Sequence, residues 1–148
     1  MKKTIIISVI LIIGILYLLG GGQGDGGSCQ CNVSTAKVSD VKICTVLTGN
    51  LCDQDYPVIS SSAGEIFASC VLKHGVADTK VKFSWMYYGD TKIEIDHVVL
   101  DTGDKMGNLE LHSSLSRPNN GWPKGVYEVV IQVQTDNAKP VSKQFTIE

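Results

Sequence analysis

Five cysteines are the residues of this 148-residue chain best suited to covalent chemistry: Cys29, Cys31, Cys44, Cys52 and Cys70. Thiols outside the reducing cytoplasm tend to pair, and an odd count leaves one over. Cys29 is the candidate for the unpaired place, as a lipid-modified or free thiol, because Gly26, Gly27 and Ser28 supply small residues ahead of it. That leaves Cys31, Cys44, Cys52 and Cys70 as disulfide candidates, with three connectivities open. A bond between Cys44 and Cys52 closes a short loop, whereas one between Cys31 and Cys70 staples the leader to the domain. Metal chemistry fits less well: Cys29-x-Cys31 is close-spaced, but no second cysteine knuckle or nearby histidine completes a four-ligand zinc set. No metal site and no cofactor are expected.

The remaining chemistry-bearing groups are scattered. His74, His97 and His112 are three histidines on or beside apparent strands. Pairing residues 92–100 with residues 108–115 as a hairpin, with Val99 opposite Leu109, sets His97 opposite Leu111 and Asp96 opposite His112. The two histidines then point to opposite faces. His97 is expected to be partly buried with a backbone partner, and Asp96 with His112 to be an exposed cross-strand pair. The turn Asp101-Thr102-Gly103-Asp104 has calcium-loop character in part, but lacks the further acidic positions and the bidentate glutamate. Asp and Gly serve a turn for conformational reasons alone. Ser60, Ser61, Ser62, Ser113 and Ser114 occupy no nucleophile elbow, and no phosphate loop or dinucleotide fingerprint occurs. No catalytic residue is expected. Asn32-Val33-Ser34 fits the glycosylation acceptor pattern, which makes Asn32 a modification candidate.

The elements that hold these residues begin with an address. Lys2 and Lys3 precede an apolar run over residues 4–19, followed by a glycine-rich stretch over residues 20–28. Basic residues ahead of an apolar core send the downstream chain across a membrane. Sixteen residues make about 24 Å of helix, against a hydrocarbon core of about 30 Å. An uncleaved anchor is favoured over simple secretion and over lipidation at Cys29. For lipidation, the position three residues ahead is Gly26 rather than leucine. The glycine stretch is a flexible tether by composition. The 13 basic and 15 acidic residues become 11 and 14 once Lys2, Lys3 and Asp25 are set aside, with no basic cluster. Nucleic acid is therefore excluded as a partner.

Beyond the leader, apolar residues alternate between turn signals. Strands are expected over residues 36–47, 65–72, 79–88, 92–100, 108–115, 126–133 and 141–147. In the third of these, Val81, Phe83, Trp85 and Tyr87 share one face. Short strands at this spacing argue for an antiparallel sandwich. Trp85, Tyr127 and Trp122 are the expected structural core, with Trp122 closing one end and bonding backbone through its indole N–H. Pro123 and Gly125 shape the entry to the sixth strand.

Trp85 in the third strand, Trp122-Pro123-Lys124-Gly125-Val126-Tyr127 before the sixth, and Phe145-Thr146-Ile147 at the end carry a resemblance. Together, residues 66–148 resemble immunoglobulin-like and fibronectin type III-like domains of prokaryotic surface proteins and lipoproteins. The resemblance implies a seven-stranded antiparallel Ig-like β-sandwich, here preceded by an N-terminal apolar helix, and says little about function. The departure is that no cysteine lies in the sixth strand, so the antibody-type bridge between sheets is absent.

The expected organisation is an anchor and tether over residues 1–28, then one domain over residues 29–148. Within it, residues 29–62 form a cysteine-containing leader and first strand, and residues 63–148 the rest of the sandwich. The expected function is non-catalytic: a membrane-tethered extracytoplasmic head for binding, adhesion or assembly, with a protein or glycan partner at the cell surface. Tyr88 and Trp122 are candidates for a binding rim, with Tyr87 read as core. Two alternatives remain. One is a pilin-like filament subunit that self-assembles through its N-terminal helix or an exchanged strand. The other is a small secreted hydrolase or metal-binding protein.

Overall fold

The computed structural model describes residues 33–148, which contain strands and connections only. In chain order the strands are β1 (Lys37–Cys44), β2 (Leu47–Thr48), β3 (Leu51–Cys52), β4 (Val58–Ile59) and β5 (Glu65–Gly75). There follow β6 (Lys80–Tyr88), β7 (Lys92–Asp101), β8 (Gly107–Ser116), β9 (Gly125–Val133) and β10 (Val141–Ile147). They form a three-stranded sheet β1-β5-β8, a five-stranded sheet β4-β10-β9-β6-β7, and a two-stranded ribbon β2-β3.

The seven-stranded, wholly antiparallel Ig-like architecture with a preceding helix is thereby overturned. Among the described residues ten strands occur in three sheets, and β4 runs parallel to β10, with Val58 beside Thr146 and Ile59 beside Ile147. The three additional elements are two residues long, too short for an alternating pattern to mark them. Among the described residues there is no helix long and apolar enough to cross a membrane. The expected apolar helix, its tether, Cys29, Cys31 and Asn32 lie outside the described residues.

Period two builds the core. On β6, Val81, Phe83 and Trp85 are buried against Ile66, Ala68, Cys70 and Leu72 of β5. Side chains at alternate positions point to one face, so the two larger sheets close over a shared apolar layer. Trp85 spans it: its indole N–H donates to Ser113 Oγ of β8 at 3.1 Å, and Phe145 meets its ring edge-on at 6.2 Å. Tyr127 stacks on Phe145 at 5.4 Å, and Trp122 stands edge-on to Tyr127 at 6.4 Å.

The ribbon lies on the three-stranded sheet. Cys44 is bonded to Cys52, eight residues on. Gly49, at φ 66°, takes the left-handed turn between β2 and β3 at little steric cost. The Cys52 N–H donates to Ser69 Oγ at 2.9 Å, which satisfies a hydroxyl buried in the middle of β5. Cys70 carries a free thiol that faces the opposite way, into the core. Burial pushes that thiol up to about 12. The alternative staple between Cys31 and Cys70 involves Cys31, which lies outside the described residues.

The expected hairpin of β7 with β8 is also corrected. β7 pairs with β6 and β8 pairs with β5, so the connection after β7 crosses from one sheet to the other. It is stitched to the loop between β5 and β6: Thr79 N–H donates to Thr102 Oγ1, Thr102 N–H to the Thr79 carbonyl, and Asp78 N–H to the Gly103 carbonyl. Those bonds fix a crossover where the turn residues alone suggested a hairpin.

Candidate functional site

The crossover leaves one side of the sandwich open. β7 ends the five-stranded sheet and β8 ends the three-stranded one, and between them runs a groove. Its wider end is a cavity of about 570 Å³. Ile93 and Ile95 of β7 form one wall, Leu115 of β8 the other, and Tyr87, Trp122 and Tyr127 close the end.

The aromatic polar atoms in this end are all engaged within the protein. Tyr87 Oη donates to the Lys124 carbonyl at 3.2 Å, and Tyr127 Oη to the Pro123 carbonyl at 2.7 Å. The Trp122 indole N–H donates to the Ala63 carbonyl at 2.6 Å. Burial, and then the neighbouring Tyr87 ring 4.9 Å away, push the Tyr127 phenol up to about 12. These rings therefore present apolar faces to the groove, with their hydrogen-bonding capacity directed into the framework. Gly125 adopts φ 142°, and an added Cβ would lie 3.3 Å from the Tyr87 ring, so glycine is required for this packing.

The groove can thus receive an apolar side chain or a short extended segment, with Asp96, Ser114 and Ser116 as its polar margin. Among the described residues, no strand pairs with the outer backbone edge of either bordering strand, the geometry that strand addition uses. Among the described residues, no three of His, Cys, Asp and Glu gather as a metal-binding group.

His97 and His112 both border the narrower end of the groove, and His74 does not. His112 lies opposite Ser69 and His97 opposite Ser84, in different sheets. His97 is exposed, with Nδ1 2.8 Å from Glu94 Oε1, which corrects the expected backbone-bonded and partly buried histidine. Asp96 and His112 are not a cross-strand pair, because no ladder joins β7 to β8; Asp96 instead accepts from the His97 N–H. His74 has φ 55° at the irregularity in β5, and its N–H donates to Asn108. In the acidic turn, the Asp101 carboxylate accepts from the Gly103 N–H, a local turn bond.

No family model matches the chain, and no curated protein matches it.

Tyr88 and Trp122, the two rim candidates, are divided by the sheet. Trp122 is buried at the closed end of the groove. Tyr88 lies on the outer face of the five-stranded sheet, where its hydroxyl donates to Glu128 Oε2 at 2.6 Å. Lys92 Nζ bonds the same oxygen at 2.6 Å, and the Glu128 side chain is only 9% exposed. Sequence reasoning missed this cluster. Glu128 alternates correctly as an outward residue, but its partners come from two other strands. Burial alone would raise the Glu128 carboxyl, yet the bonds from Lys92, Tyr88 and Ser142 and the Lys92 charge hold it below its ordinary value. The bond to Glu128 in turn raises Lys92.

A depressed carboxyl contributes stability that is present above its unfolded pKa and lost as pH falls through the folded one. Stability is therefore expected to fall as the solution is acidified through and below the ordinary carboxylate range. Glu128→Gln should cost about 1–3 kcal/mol near neutral pH, because a charged hydrogen-bond acceptor is lost. It should also flatten the acid limb. Urea unfolding across a series of pH values checks both, and an unchanged acid limb would remove Glu128 from the account.

Proposed function

We propose that this protein is a non-catalytic head, displayed outside the cytoplasm on a membrane tether, that binds or assembles through the open side of its sandwich. The observation that carries the reading is the groove between β7 and β8, apolar, aromatic at its closed end and bordered by two unpaired strand edges. An extended segment of a cell-surface protein is the occupant such a site suits, since main-chain bonds to an edge give affinity and an apolar pocket gives selectivity. The bond between Cys44 and Cys52 supports an oxidising compartment. Lys2, Lys3 and the apolar run over residues 4–19 support export with retention. The resemblance carried by Trp122-Pro123-Lys124-Gly125-Val126-Tyr127 to domains of prokaryotic surface proteins points the same way.

A photo-reactive residue placed at Ile95, in the groove, and separately at Val126, exposed on β9, tests the reading in intact cells. The expected result is an adduct with another surface molecule from position 95 and none from position 126. Labelling of the head by a membrane-impermeant reagent should accompany it. Equal adducts from both positions would overturn the role of the groove, and a head inaccessible to the reagent would overturn the display.

A further inference from the structure

β7 has ten residues, and among the described residues no strand lies beside one of its backbone edges. Of the eleven exposed large apolar side chains among the described residues, four lie on it: Ile93 (49%), Ile95 (40%), Val98 (37%) and Val99 (49%). No other strand concentrates them so. Charges and bulges ordinarily keep such an edge from pairing, so their arrangement decides what the edge can do.

The bulge sets which residues share a face. Opposite β6, Trp85 faces Asp96 and the adjacent Met86 faces Glu94, so Ile95 is the extra residue. Lys92, Glu94, His97, Val99 and Asp101 consequently occupy the outer face, and Ile93, Asp96, Val98 and Leu100 the inner one. Without the bulge this division would fail, because alternation would put Lys92 and Asp101 on opposite faces.

We propose that β7 pairs antiparallel with β7 of a second copy, about a two-fold axis through His97, making one continuous sheet across a homodimer. Face matching allows only registers that differ by two ladder positions. In the register centred on His97, Lys92 lies opposite Asp101 and Ile93 opposite Leu100. Glu94 then faces Val99, and Asp96 faces Val98. Every contact occurs twice, as a two-fold interface requires. A shift one way puts Asp96 opposite Asp96, and a shift the other way puts Glu94 opposite Asp101. Directly opposed like charges destabilise a ladder, whereas opposed unlike charges and apolar pairs support it. Of the three registers that pair at least seven of the nine ladder positions, the charge pattern thus selects one.

The two copies of Ile95 are then extra residues on either side of the axis, each between the ladder positions of Glu94 and Asp96 on its own strand. Lys92 remains available: its ammonium bonds Glu128 through one donor and has two more. The proposal deepens the assembly part of the function proposed above. Pairing the two β7 strands sets their inner faces side by side, so Ile93, Val98 and Leu100 of both copies floor a shared trough.

The test uses the full chain, extracted from membranes in mild detergent, with Cys29→Ser and Cys31→Ser to remove the leader thiols; the remaining free thiol, Cys70, is buried in the core. Directly opposed Cα atoms lie about 4.5–5.5 Å apart, within the roughly 4.4–6.8 Å that a disulfide spans. His97→Cys is therefore expected to form a cross-linked dimer on mild oxidation, at least about tenfold faster than Glu94→Cys or Val99→Cys alone. Each of those two positions lies about 13 Å from its own copy, four ladder steps away. A mixture of Glu94→Cys and Val99→Cys chains should cross-link with each other. Equal rates at all three positions, or no dimer from His97→Cys, would overturn the proposal. All three side chains are exposed, so folding is not at stake. Light scattering supplies a second measurement, with a protein mass twice the 16.0 kDa chain expected and a monomer mass overturning the pairing. A monomer that still gives foreign adducts from position 95 would retain the proposed function while removing the dimer.

Discussion

Replacing Trp85 with alanine is expected to destabilise the domain by about 3–5 kcal/mol, the range for truncating a buried large aromatic. The indole is 1% exposed and lies between the two larger sheets, so its removal opens a cavity that backbone on either side is tied by ladders not to fill. The loss also takes the donor from Ser113 Oγ, a hydroxyl that is itself buried. A buried acceptor left without its partner adds to the cost of the void. For a domain of this size the fall in Tm should be about 10–25 °C. Trp85→Phe keeps one ring, losing the Ser113 bond and a smaller volume, so it should cost less, about 1–3 kcal/mol. Thermal unfolding followed by circular dichroism distinguishes the two. Equal losses in both variants would mean that the hydrogen bond, rather than the packing, is what Trp85 supplies.

Opening the bond between Cys44 and Cys52 should have the next largest effect. Closing a loop of eight to ten residues restricts the unfolded chain by about 2–3 kcal/mol in the chain-entropy account. In the folded state the bond holds the β2-β3 ribbon over β5, where the Cys52 N–H satisfies Ser69. Paired Cys44→Ala and Cys52→Ala substitutions are expected to lower stability by that amount in a denaturant titration. They should also speed hydrogen exchange in the ribbon before the rest of the sheet. Cys70 should stay unreactive toward thiol reagents in the folded variant, because it is buried in the core with its thiol pushed up to about 12. Rapid labelling of Cys70 would show that the sheet itself had opened.

Much of the fold could be read from alternation. The long strands were expected close to where they lie, because each buries one face and period two records that burial directly. The burial of Trp85 and Tyr127 has the same origin, since they share the inward positions with Phe83 and Val129. The two-residue strands β2, β3 and β4 were missed because two residues carry no period. Of the disulfide alternatives, spacing made the Cys44 to Cys52 loop plausible but could not select it. The selection depends on Cys44 lying on the outer face of the three-stranded sheet while Cys70, on β5, lies on the inner one.

The candidate site was legible only in pieces. Trp122, Tyr127 and Tyr87 stood out by type, but the groove they close exists because β7 and β8 belong to different sheets. Asp and Gly in residues 101–104 suit a hairpin turn and a crossover turn equally. The choice was made by Thr79 and Asp78, which bond that turn from a loop more than twenty residues earlier. Glu128 likewise acquires Tyr88 and Lys92 from two other strands, 40 and 36 residues away.

By itself, then, the sequence determined what local chemistry determines: an all-β domain, its main strands and their inward faces, and the aromatic residues of its core. Only the tertiary structure decided which strands are neighbours, which edges stay open, and which cysteines meet. Side-chain periodicity says which way a residue points, a property of the strand alone. Pairing is a property of two strands, and here it is set by bonds between loops distant in the chain.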